Sequence, residues 1–129
     1  MVLKENRSLI LPGKNSPRLQ IEEVTIARLK WNARSPRVHP EKQIAMLARN
    51  IDTFGFLVPC IISDQNRLLY GNARVLAAKR LGMETVPAVR VSHLSDNDQR
   101  AFILADTKLS EHATWHPEIL REKYSSLRI

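Results

Sequence analysis

A chain of 129 residues, 43% of them hydrophobic, can build one domain around one core and leaves little room for a second. No apolar run approaches the ~20 residues of a membrane span, and the polar start MVLKENRSLILPGKN lacks the layout of a cleavable signal, so the expectation is a soluble, cytoplasmic protein. The net charge of +7 is concentrated at the front: residues 1–50 carry ten Lys and Arg against four acids, which makes DNA, RNA or nucleotides the leading partner class and an ordinary basic surface the alternative.

Residues 1–17 hold no lasting periodicity and end in Pro12, Gly13, Asn15, Ser16 and Pro17. They are expected to form a flexible basic arm ahead of a domain spanning 18–129. LQIEEVTI is β-favouring and opens the fold as a strand. KWNARSPRVHP follows as a loop punctuated by Pro36 and Pro40 and carrying Arg34 and Arg37. From Pro40 the apolar residues Ile44, Leu47, Ala48, Ile51 and Phe54 fall on one helical face. Pro40 at the first helical position, with Glu41 behind it, marks the start, and Gly55 marks the stop.

LVPCIIS and RLLY flank the polar triplet DQN, which predicts a hairpin of two short strands. NARVLAAKRL predicts a helix closed by Gly82, and TVPAVRV the next strand. Ser95 with Asp98 three residues on is a capping-box variant that opens the helix DNDQRAFILADTKLSEH, with Phe102, Ile103, Asp106 and Leu109 marking one face. A short helix follows Pro117. This order of elements implies an α+β fold, a small mixed β-sheet with helices packed on it.

The junction YGNAR, before the alanine-rich helix, carries the chemistry. A helix N-terminus presents unpaired N–H groups and the positive end of a macrodipole, so a phosphate there is hydrogen-bonded and charge-compensated. Gly71 allows a sharp turn and close approach, and Arg74 in the first turn can add a bidentate clamp. A cation at that end opposes the dipole by ~0.3–1 kcal/mol, a penalty that a bound anion reverses. The alternative is a plain capped turn between strand and helix.

Other chemistry finds less support. Cys60 is the only cysteine, which excludes an internal disulfide and a cysteine-rich zinc site; inside FLVPCII it reads as a buried structural thiol. His112 and His116 would meet only on a helix running unbroken through Trp115 and Pro117, so no metal site is expected. The spacing reveals no set of nucleophile, base and orienter, and the carboxylates are scattered.

As an ordered set, NARSPRVHP, GFLVPCII, GNAR with AAKRLG and VPAV, and SDNDQRAFILAD with the later Trp115 are specific. Over about residues 19–120 the chain resembles the ParB N-terminal domain family, also called ParB-like nuclease or the ParB/sulfiredoxin fold. It is particularly similar to versions in phage and plasmid proteins and ahead of DNA methyltransferases. The resemblance implies that Gly71, Asn72, Ala73 and Arg74 bind nucleotide phosphates, with CTP or ATP and magnesium as the cofactor. ParB proteins usually carry two consecutive arginines in this loop; Ala73 takes the first position here and removes one phosphate contact.

The resemblance further implies acidic or amide residues beside the nucleotide in ILADTKLSE, with Asp106 the first catalytic candidate and Glu111 the second; Thr107 stands where relatives have asparagine. Arg34 and Arg37 match a basic loop near the pocket and are candidate phosphate or DNA contacts. Sulfiredoxin chemistry needs a cysteine inside the loop, and Gly71 to Arg74 hold none. Full ParB proteins read DNA sequence through a separate helix-turn-helix domain, for which the nine residues after Leu120 leave no space, so contact with DNA is expected to be weakly sequence-specific. The expected function is nucleotide or DNA-phosphate binding in plasmid or phage DNA metabolism: partition, modification or transcriptional regulation. The alternatives are a nuclease or nucleotide-dependent phosphotransferase on the same fold, and a regulatory protein-interaction module with a vestigial pocket. A homodimer or a protein partner stays open.

Overall fold

The β-favouring run around Val24 forms β1 (Ile21–Thr25) in a computed structural model that describes residues 18–31 and 38–127. It pairs antiparallel with β4 (Thr85–Val91), Ile21 opposite Val89 and Thr25 opposite Thr85. β2 (Cys60–Ser63) lies parallel to β4 on its other side, Cys60 opposite Ala88, and forms the predicted hairpin with β3 (Leu68–Tyr70). The sheet is therefore mixed, in the order β1-β4-β2-β3. Ser63 shapes the hairpin turn, its Oγ accepting from the amides of Gln65 and Arg67 at 3.2 and 3.0 Å. Arg90 on β4 ties that turn to the far edge: it donates to Glu22 at 2.7 Å, to the Ser63 carbonyl at 2.8 Å and to Asn66 Oδ1 at 2.8 Å.

One helix packs on the sheet and a second packs against that helix. α1 (Glu41–Phe54) presents Ile44, Ala48 and Ile51 to Ala73 and Ala77 of α2 (Asn72–Arg80). The alanines of α2 let the two helices approach closely, and on the sheet side Val75 and Ala78 join Cys60, Ile62, Leu68 and Val86 in a fully buried layer. Burying a side chain such as Val75 contributes ~1.5–3 kcal/mol. Arg80, in the last turn of α2, pairs with Glu41 in the first turn of α1. Gly82, at φ 79°, ends α2 as predicted: its N–H and that of Met83 satisfy the carbonyls of Lys79 and Ala78.

α3 (Asp96–Ser110) starts at Ser95, whose Oγ accepts from the Asp98 amide at 3.1 Å. α4 (Pro117–Ser126) starts at His116, whose Nδ1 accepts from the Ile119 amide at 3.3 Å. His116 thus caps α4 while His112 lies beyond the end of α3, so the two do not share a helix.

Four details depart from expectation. Pro40 is the extended cap of α1 and not its first helical residue, because its carbonyl already accepts from the amides of Gln43 and Ile44. Phe54 is 55% exposed, since it lies at the last turn of α1, beyond the α2 contact. In α3, Phe102, Ile103 and Asp106 are half-buried as a facing stripe would be, but Leu109, in the last turn of the helix, is 70% exposed. A short 3-10 turn, Ile26–Arg28, was not foreseen. Residues 1–17, with the expected arm, and Arg34 and Arg37 lie outside the described residues. Among the described residues no helix is long and apolar enough to cross a membrane.

Candidate functional site

β3 delivers the chain to Gly71, which adopts φ 107° and caps α2. An L-residue is strained at that φ, and a Cβ here would also stand 2.9 Å from Cys60 Sγ. The Val75 amide, donating to the Gly71 carbonyl at 2.9 Å, makes the first helical hydrogen bond, so the amides of Asn72, Ala73 and Arg74 precede it as helix-terminal donors.

A cavity of about 140 Å³ opens over this turn. Gly71, Asn72, Ala73 and Arg74 all line it, with Leu69 and Tyr70 leading in. His39, Gln43 and Leu47 form the α1 side, and Ile103, Asp106 and Thr107 the α3 side. Gln43, Leu47 and Arg74 also border a more open groove that continues along α1 past Met46 and Asn50.

The four loop residues differ in what they offer. Ala73 is only 6% exposed and packs with Ile44, Ala48 and Ile51, so its contribution to the cavity is backbone. Asn72 Oδ1 is buried with no hydrogen-bond partner among the described residues, an orphaned acceptor that a ligand donor or a water would satisfy. Arg74 is half-buried and forms no ion pair with another described residue. Its charge still reaches Cys60: burial pushes the thiol up to about 11, and Arg74 opposes that rise. Cys60 is the buried, neutral thiol that the sequence suggested.

Of the two acidic candidates, Asp106 lines the cavity, the one carboxylate to do so among the described residues. Glu111 lies away from it, exposed at the end of α3 and paired with Lys108 at 3.4 Å. Thr107 turns its hydroxyl back onto the Ile103 carbonyl at 2.9 Å. Sequence alone does not point to His39 and Gln43; they share the cavity with the loop because α1 packs on α2, and the one local signal is their i, i+4 spacing at the helix start, bridged by a 2.9 Å hydrogen bond.

The chain has recognisable relatives. The family model of the ParB N-terminal domain matches residues 12–107. Over 85 residues the chain is 32% identical to the ParB-like nuclease domain-containing protein YnaK of Escherichia coli (strain K12), covering 66% of this chain and 98% of that one. Over 100 residues it is 30% identical to the nucleoid occlusion protein of Bacillus thuringiensis (strain Al Hakam), covering 74% of this chain; it spans about a third, 34%, of that protein's length. Among solved structures, the C-terminally truncated chromosome-partitioning protein ParB from Caulobacter crescentus complexed with CTP-γ-S is similar at a TM-score of 0.64 and 23% identity, over 84% of this chain and 66% of that one. Sulfiredoxin from Arabidopsis thaliana follows at a TM-score of 0.51 and 20% identity, over 57% of this chain and 85% of that one. These structural likenesses speak to the fold, which is the mixed sheet with packed helices expected from the order of elements. With the family model matched over most of the chain and one relative covered almost end to end, the chain belongs to the ParB N-terminal domain family.

Proposed function

We propose that the protein binds a nucleotide, or the phosphate backbone of DNA, at the Gly71–Arg74 loop and acts in plasmid or phage DNA metabolism. Arg74 carries the reading. A guanidinium in the first turn of a helix opposes the dipole, and here no described carboxylate pairs with it; an anion in the cavity would compensate both at once. The related ParB solved with CTP-γ-S supports a nucleotide as that anion. The residues present fit a phosphate group: helix-terminal amides at 72–74, one guanidinium, and the unpartnered Asn72 Oδ1 for a donor on the ligand. A second phosphate arginine is lacking at Ala73, which points to weaker triphosphate binding than a two-arginine loop would give.

Binding is the first reading because what the loop offers, helix-terminal amides and a guanidinium without a described carboxylate partner, serves to hold an anion. The reading is tested by calorimetric titration with CTP, ATP, GTP and their diphosphates, with and without magnesium. Saturable binding of at least one nucleotide is expected; heats no larger than dilution for the whole panel, together with no DNA binding at low salt, would end it.

A further inference from the structure

The cavity over the Gly71–Arg74 loop has a second basic side chain. Among the described residues lining it, Arg74 and His39 are the only cationic or protonatable basic groups. They come from different elements, Arg74 from α2 and His39 from the segment entering α1. His39 is half-buried and its ring is held: Nδ1 lies 2.9 Å from Gln43 Oε1. A carbonyl oxygen can only accept, so Nδ1 carries its hydrogen in both the neutral and the charged ring. Proton uptake therefore falls on Nε2, the ring nitrogen that Gln43 does not engage.

We infer that His39 is the second cationic contact of this site, its Nε2–H donating to a phosphate oxygen of the anion that the loop and Arg74 hold. The inference rests on the phosphate-site reading above. It assigns to a titrating side chain on the α1 wall the charge that Ala73 cannot supply from the loop, and so makes anion binding proton-linked. The charged and titratable groups around His39 agree with this. On α1, Glu41 is engaged by Arg80, and Lys42 borders the adjoining groove. Tyr70 and Arg74 face the cavity from the β3–α2 junction, and Asp106 faces it from α3. Without an anion, an imidazolium at His39 and the Arg74 guanidinium would share one small cavity, where Asp106 is the carboxylate among the described lining residues; with the anion bound, both cations face opposite charge. Anion and proton should therefore enter together.

The test titrates the full chain with inorganic triphosphate, and in parallel with CTP, at steps from about pH 8.5 to about pH 5.5, across the histidine range. The parent is compared with His39→Gln and His39→Lys, each checked by thermal melting. Comparing variants at one pH cancels the titration of the ligand itself. The gap between parent and His39→Gln should widen by roughly tenfold or more as pH falls, the strength of one charge-assisted contact. The gap between His39→Lys, charged throughout, and His39→Gln should not change with pH. Titrations in buffers of different ionisation enthalpy should show more proton uptake on binding by the parent than by His39→Gln. A parent and a His39→Gln variant with the same pH profile and the same proton uptake would overturn the inference alone. A parent that binds neither probe at any pH would overturn the phosphate-site reading and take this inference with it.

Discussion

Gly71 and Cys60 are in contact across the β2–α2 junction, so closely that a Cβ on Gly71 would stand 2.9 Å from Cys60 Sγ and 3.3 Å from Cys60 Cβ. With Gly71 at φ 107°, any side chain there meets both a strained backbone and a filled space. Gly71→Ala should cost about 2–4 kcal/mol, the sum of a left-handed backbone and overpacking. Cys60→Ala made in the same chain should recover about 1 kcal/mol of that relative to simple addition. Urea unfolding of the two single variants and the double variant measures the coupling; strict additivity would show that the contact does not limit the turn.

The same burial makes Cys60 a source of alkaline sensitivity. Its folded pKa is raised to about 11 from 9.0 by desolvation, partly opposed by Arg74. Above about pH 9 the unfolded chain loses this proton while the folded chain keeps it, so stability is full below that pH and declines as pH rises towards about 11. Parent and Cys60→Ala should differ in the slope of stability against pH across that window, the parent falling more steeply. A buried neutral thiol should also react slowly with disulfide reagents at neutral pH until the protein is unfolded.

Much of this was legible from local patterns. Gly82 and Ser95 announced helix ends because capping is a matter of a few adjacent residues, and the DQN turn did the same for the hairpin. The helical stripe of α1 identifies Ile44, Ala48 and Ile51 as its buried face, but nothing local says that α2 stops short of Phe54. The Gly71–Arg74 loop could be singled out because a strand, a glycine and a first-turn arginine are contiguous. The rest of the cavity could not: His39 and Gln43 reach it through helix packing, and Asp106 was suggested by family resemblance, since some thirty residues separate it from the loop. Glu111, only five positions further, lies away from the cavity because α3 ends there.

The basic front half makes DNA binding a quantitative expectation. Binding should be measurable at low ionic strength, largely independent of sequence, and should fall steeply with salt. Deleting residues 1–17 removes Lys4, Arg7 and Lys14 together with Glu5, a net of two positive charges, and should lower the slope of log K against log salt by about 2. Fluorescence anisotropy with an arbitrary duplex at several salt concentrations checks both; affinity that does not respond to salt would rule out the electrostatic account.

Binder and enzyme separate in a plainer assay. Supercoiled plasmid and nucleotide should both survive long incubation with the protein and magnesium or manganese. Turnover that disappears in Asp106→Ala, with the fold intact, would move the assignment to an enzyme with Asp106 in its site. Turnover unaffected by that change would instead place the activity elsewhere in the chain.

The central claim is that Arg74 stands in the first turn of α2 to hold an anion and not to hold the fold. Thermal melting of the parent and of Arg74→Ala, each with and without CTP, tests it most directly. The account predicts that the parent is stabilised by CTP and that the variant loses ~1.5–3 kcal/mol of binding. The unliganded variant should melt at the same temperature as the parent or slightly above it, since the change removes a cation from the positive end of the helix dipole. A large loss of unliganded stability with unchanged affinity for CTP would contradict it and leave Gly71–Arg74 an ordinary capped turn.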